Sequence, residues 1–219
     1  MLVAIGIAAA ASVGRAMLLA AIVFAAQGVV YNVRPMRTKD VPYLDVISES
    51  VNNPLRLLIG WAMVDAATLP PSSVIFAYWL SGAFLMATKR LSEYSEIVKS
   101  HGRELLVKYR LSFAGYSEAT LTASAMVYAL LGSMSLAIFF IKYRVEYLLT
   151  LPLVALLFGQ YVMIAMKPGS SAQRPERLFK ETTLMALVAA LALLFGLLTI
   201  VRIPVLDPLT AQQFIVISK

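Results

Sequence analysis

Hydrophobic positions along this 219-residue chain gather into long runs. A helix needs about 20 largely apolar residues to cross ~30 Å of hydrocarbon. Six runs meet that length, over 15–33, 46–66, 72–88, 118–141, 145–166 and 183–202. A seventh, 2–13, is too short to span comfortably by itself. Leu69-Pro70-Pro71-Ser72 and Lys167-Pro168-Gly169-Ser170-Ser171 separate runs with turn-forming residues. Ile203-Pro204 and Asp207-Pro208 stop the last helix before a short apolar tail. The pattern predicts an all-α polytopic membrane bundle of about seven segments, with residues 1–219 forming one domain.

Composition agrees. Hydrophobic residues make up 60% of the chain and charged residues 14%, against ~45–50% and ~25% in soluble domains. The net charge of +7 would raise nucleic-acid binding in a soluble protein. Here the basic residues sit between apolar runs, so no nucleic-acid partner is implied. Thirteen fall on one side of the predicted bundle, within 34–45, 89–117 and 167–182. Arg15, Lys142, Arg144, Arg202 and Lys219 fall on the other, and Arg56 lies inside a helix. The positive-inside rule makes the first side cytoplasmic, with the N-terminus inside and the C-terminus outside an inner or cytoplasmic membrane. Met1-Leu2-Val3-Ala4-Ile5 has no basic residue ahead of its apolar stretch and makes a poor signal peptide. It reads as the middle of a membrane helix.

Cysteine is absent and His101 is the single histidine, which excludes disulfides, thiolate metal sites and histidine metal clusters. The polar residues that remain close to the apolar runs are the informative ones. Tyr31 to Asp45 gathers Arg34, Arg37 and Lys39 with two carboxylates and two tyrosines. Clustered Arg and Lys hold phosphate, and they equally serve as a loop that only anchors topology. Asp45, Glu49, Asn52 and Arg56 are spaced to line one helical face, with Asn53 beside them. Ionisable groups at membrane depth usually face a cavity or bundle interior. A ligand-lined cavity and a structural ion pair to Arg56 both fit that stripe. Lys89, Arg90 and Glu93, then Tyr109, Arg110, Ser112 and Tyr116, add two more polar runs at the same side. Together the three clusters point to a cytoplasm-facing pocket for an anionic head group on an apolar tail.

The order Tyr31, Pro35, Lys39, Pro42, Asp45, followed by Asn53, Arg56 and Gly60, resembles the fourth-to-fifth helix region of UbiA-superfamily intramembrane prenyltransferases. The runs Lys89-Arg90-x-x-Glu93-Tyr94 and Tyr109-Arg110-x-Ser112-x-x-x-Tyr116 are similar to the decaprenyl-phosphate phosphoribosyltransferase branch. The resemblance covers nearly the whole chain as helices three to nine of a nine-helix fold. It implies Asp45 and Glu93 as catalytic carboxylates. It implies Tyr31, Arg34, Lys39, Asn53, Arg56, Lys89, Arg90, Arg110 and Tyr116 as substrate-binding residues. The family's first Asn-Asp-x-x-Asp motif, which binds magnesium, has no counterpart in the sequence. No metal ligands are assigned, and Mg2+ enters only if the chain is an enzyme.

Two readings follow. One is a catalytically incomplete subunit that binds a lipid, isoprenoid or pigment tail and packs against other membrane subunits. The other is an active prenyl- or phosphoribosyl-transferase whose metal motif is supplied elsewhere. A transporter is disfavoured, because neither an internal repeat nor paired broken helices are evident.

Overall fold

In a computed structural model of the chain, residues 1–209 are described, and Lys219 and most of the apolar tail lie outside them. The described residues form helices and 3₁₀ turns without a strand. The α-helices are α1 (Leu2–Val13), α2 (Arg15–Asn32), α3 (Leu44–Ser50), α4 (Asn52–Val64) and α5 (Ser72–His101), then α6 (Arg103–Tyr109), α7 (Glu118–Tyr143), α8 (Leu151–Ala165) and α9 (Thr182–Ile200).

Four of these segments are long and apolar enough to cross a membrane: Arg15–Asn32, Glu118–Tyr143, Val145–Met166 and Thr182–Ile200. Between 6% and 22% of their most apolar windows is buried inside the protein, so their apolar surface faces outward. That arrangement is compatible with an integral membrane protein. The other three predicted segments behave differently, each for an identifiable reason. At ~1.5 Å per residue, the 12-residue α1 is only ~18 Å long. It ends at Gly14, whose φ of +154° is open to glycine alone, and α2 follows at once. The run 46–66 is divided at Val51 into α3 and α4. Pro54 has no N–H for the Ser50 carbonyl and its ring crowds that oxygen, so the helix cannot run straight through.

The run 72–88 is the first part of α5, which continues to His101. Helix α5 is the hub of the fold. It packs along α7 and also meets α3, α4, α6 and α8. Its apolar requirement is therefore met by other helices, and it tolerates more polar residues than a lipid-facing helix. Small residues allow close approach: Gly132 of α7 sits against Ser81 of α5, where an added Cβ would stand 3.3 Å from Ser81 Oγ. One core layer joins Val46, Phe84, Ala125, Tyr161 and Ile164. A second gathers Leu91, Tyr94, Leu106, Phe113, Tyr116 and Leu121.

Side-chain contacts bring 33–43, 102–117 and 166–181 to one end of the bundle. Arg110 bonds to Tyr31, Ser95 to Glu118, and Gln173 to Ser92 and Glu96. This is the end with the denser basic charge, called the basic end below.

Candidate functional site

Five of the sequence-flagged residues converge at the basic end around Asp45, which opens α3 and is fully buried. The guanidinium of Arg90, 3% exposed, faces three carboxylates. Its Nε donates to Asp45 Oδ2 at 3.3 Å, Nη1 to Glu93 Oε2 at 2.9 Å and Nη2 to Glu49 Oε2 at 2.9 Å. Arg110 Nε stands 3.3 Å from the same Asp45 oxygen, while its Nη2 donates to the Tyr31 hydroxyl at 2.7 Å. Tyr31 in turn donates to Glu49 at 2.6 Å. Ser112 donates to Asp45 Oδ2 at 3.1 Å and Tyr116 to Asp45 Oδ1 at 2.6 Å. No buried side-chain nitrogen or oxygen of this network lacks a hydrogen-bond partner, as buried polar groups require.

Two guanidiniums against three carboxylates leave the network one negative charge in excess. Burial alone would disfavour the charged form of Arg90. The carboxylates of Glu93, Glu49 and Asp45 outweigh that penalty and hold the guanidinium in its charged form. Burial, followed by the bond to Asp45, raises the pKa of the Tyr116 phenol. The Tyr116 hydroxyl also accepts a bond from the Tyr43 N–H at 2.6 Å, and the two rings meet edge to face at 5.0 Å. Tyr43, the residue before α3, has φ +65° and ψ −41°, a conformation that costs a non-glycine residue ~1–3 kcal/mol. Its bond to Tyr116 helps hold it there.

The remaining flagged residues stand apart from this network. Arg56 is exposed and makes no ion pair among the described residues. The acidic partners expected for it, Asp45 and Glu49, pair with Arg90 instead, because the break at Val51 takes α4 out of register with α3. Asn53 packs against Gly82 of α5, where a Cβ would lie 1.9 Å from Asn53 Nδ2. Lys39 donates to Asn32 at 3.3 Å, and Arg34 is exposed. Lys89 is half-buried and makes no ion pair among the described residues. Those residues hold no grouping of three or more acidic, Cys or His side chains suited to a metal.

Sequence reasoning placed Glu49 on the polar stripe without assigning it to the site, yet it joins Arg90 to Tyr31. It also missed a large apolar cleft. A mostly apolar cavity of about 980 Å³ lies at the opposite end of the bundle, between α4, α5, α7, α8 and α9. Trp61, Tyr78, Phe140 and Phe195 are among its lining residues. Phe195 stacks on Tyr147 at 4.1 Å and meets Phe140 at 6.2 Å. The clue in sequence was the aromatic content of the helix ends away from the basic loops.

No family model, curated protein or solved structure matches the chain.

Proposed function

We propose that the chain is an isoprenoid- or lipid-binding accessory subunit of a larger membrane assembly, built on a UbiA-type bundle and not itself a prenyltransferase. On this reading it crosses an inner or cytoplasmic membrane about seven times, with α1, α3–α4 and α5 completing crossings beside the four apolar helices. The observation that carries the reading is the state of Arg90. A phosphate would have to displace Asp45, Glu49 and Glu93 from it, and the network that receives the phosphate already has excess negative charge. Anion binding and leaving-group stabilisation both require the opposite balance. The 980 Å³ apolar cleft supports binding of a long hydrophobic tail.

The test is purification from native membranes in mild detergent, with mass spectrometry of everything retained and a prenyl-transfer assay with Mg2+. Recovery in a stoichiometric multi-protein complex, with bound isoprenoid or lipid and no turnover, is expected. A lone monomer that transfers prenyl groups would overturn the reading.

One observation favours the transferase alternative. Arg34, Arg56 and Lys89 form no ion pair among the described residues and are free to meet an anionic co-substrate. In that case Lys89→Ala lowers turnover at least ~10-fold, and in the accessory-subunit case no turnover exists to lower.

A further inference from the structure

The large apolar cleft is not isolated. Tyr143, at the end of α7, lines both it and a neighbouring polar notch of about 380 Å³. The notch is formed by Lys142, Arg144, Glu146 and Arg202, all at the end of the bundle opposite the Asp45–Arg90 network.

Charges in the notch are unevenly spent. Glu146 Oε1 accepts a bond from the Ile203 N–H at 3.2 Å, and its other oxygen faces Arg144 Nε at 3.7 Å. Arg144 is fixed in place: its Nη2 donates to the Val201 carbonyl at 3.0 Å and its guanidinium lies 5.7 Å from the centre of the Tyr147 ring. At 3.7 Å its Nε contact with Glu146 is longer than a hydrogen bond, and that buried nitrogen has no hydrogen-bond partner. Glu146 can offset one cation only. Lys142 and Arg202 are exposed on the notch and make no ion pair among the described residues, leaving a balance of two positive charges beside an apolar cleft.

We infer that cleft and notch are one site, occupied by a single phosphate-headed lipid. Its chains lie in the cleft against Phe140 and Phe195, and its phosphate meets Lys142, Arg144 and Arg202. Charge complementarity selects this occupant. A neutral tail alone would leave the two cations unmatched, and a soluble anion would leave the apolar cleft empty. The inference rests on the lipid-binding reading above and adds to it the headgroup chemistry and the place of binding, which is the end away from the Asp45–Arg90 network.

The test uses the full chain, delipidated in detergent and titrated with phosphatidylglycerol or with diacylglycerol of the same acyl chains, followed by native mass spectrometry. Phosphatidylglycerol should bind at least about tenfold more tightly than diacylglycerol, the scale that two basic side chains give against a phosphate. K142E/R202E should abolish that preference while leaving diacylglycerol binding unchanged. G196L should weaken both lipids, because Gly196 lines the cleft and an added Cβ there meets open space. Helicity and thermal midpoint of each variant are measured alongside, and G196L is expected to keep both. Equal affinity for the two lipids in the parent, or a preference that survives K142E/R202E, overturns the headgroup assignment. Unchanged binding in G196L overturns the cleft. Isoprenoid or lipid still co-purifying with G196L at parental level would place the tail elsewhere and spare the accessory-subunit reading. A parent chain that retains no lipid or isoprenoid at all ends both.

Discussion

A guanidinium whose three nitrogens already face Asp45, Glu93 and Glu49 has little left to offer a phosphate. Removing it is another matter, because a buried ion pair that loses one partner leaves an uncompensated charge behind. Arg90→Ala should therefore destabilise the protein by about 3–5 kcal/mol, read as a loss of thermal midpoint in detergent. Loss of any activity in that variant would report unfolding as readily as a lost ligand contact. Arg90→Lys should recover little, since one ammonium cannot span three carboxylates set around a planar fork. The Tyr116 phenol sets a pH dependence. Its folded pKa is raised, so its contribution is fully present below the ordinary phenol value of ~10 and is lost as pH climbs towards the folded value. Melting temperature should stay flat with respect to this group through neutral pH and fall above about pH 10, and Tyr116→Phe should remove that part of the alkaline decline. Much of this network could be read in sequence: Tyr31, Asp45, Arg90, Glu93, Arg110 and Tyr116 were singled out there. Their pairing could not be read, because contacts 41 and 45 residues apart depend on how α3 turns towards α5.

At the level of elements, the apolar runs located the helices well and their continuity poorly. Hydropathy averages over 46–66 without registering that Pro54 withdraws one hydrogen bond and crowds the Ser50 carbonyl that would have accepted it. The spacing argument for Asp45, Glu49, Asn52 and Arg56 assumed one unbroken helix, and it fails at Val51. Hydropathy also closed α5 at residue 88, where polar residues begin, whereas the helix continues through them to His101 as a buried and then solvated rod. Close backbone approaches are equally hidden from periodicity. An added Cβ at Gly115, in the 3₁₀ turn Leu111–Gly115, would stand 2.5 Å from Pro42 Cγ, a ring atom with little freedom to yield. Gly115→Ala should push residues 38–43 away from the 111–116 turn and weaken the Tyr43–Tyr116 bond. The expected cost is ~1–3 kcal/mol, measured as a lowered thermal midpoint. Gly196→Ala is the contrasting case. Its Cβ meets nothing within 4 Å, and replacing a helix-interior glycine should raise stability by up to about 1 kcal/mol in the same assay.

Across the whole molecule, charge and apolar volume are sorted to different places. The basic end holds a closed polar network, and the open cleft lies at the other end beside Lys142 and Arg202. Sequence reasoning placed an anionic head group and its apolar tail together at the basic end, because it could see which residues were polar but not which had already neutralised one another. The same closure has a consequence for how the protein is made. Asp45 leaves the ribosome 45 residues before Arg90. At ~5–20 residues per second that interval lasts roughly 2–9 s, during which the carboxylates of α3 lack their folded partner Arg90. Segment 44–64 is then expected to wait at an aqueous surface until α5 arrives. Nascent chains arrested before residue 90 should therefore carry a cysteine introduced at Ser48 in a form open to water-soluble maleimide, and chains arrested well beyond residue 116 should shield it.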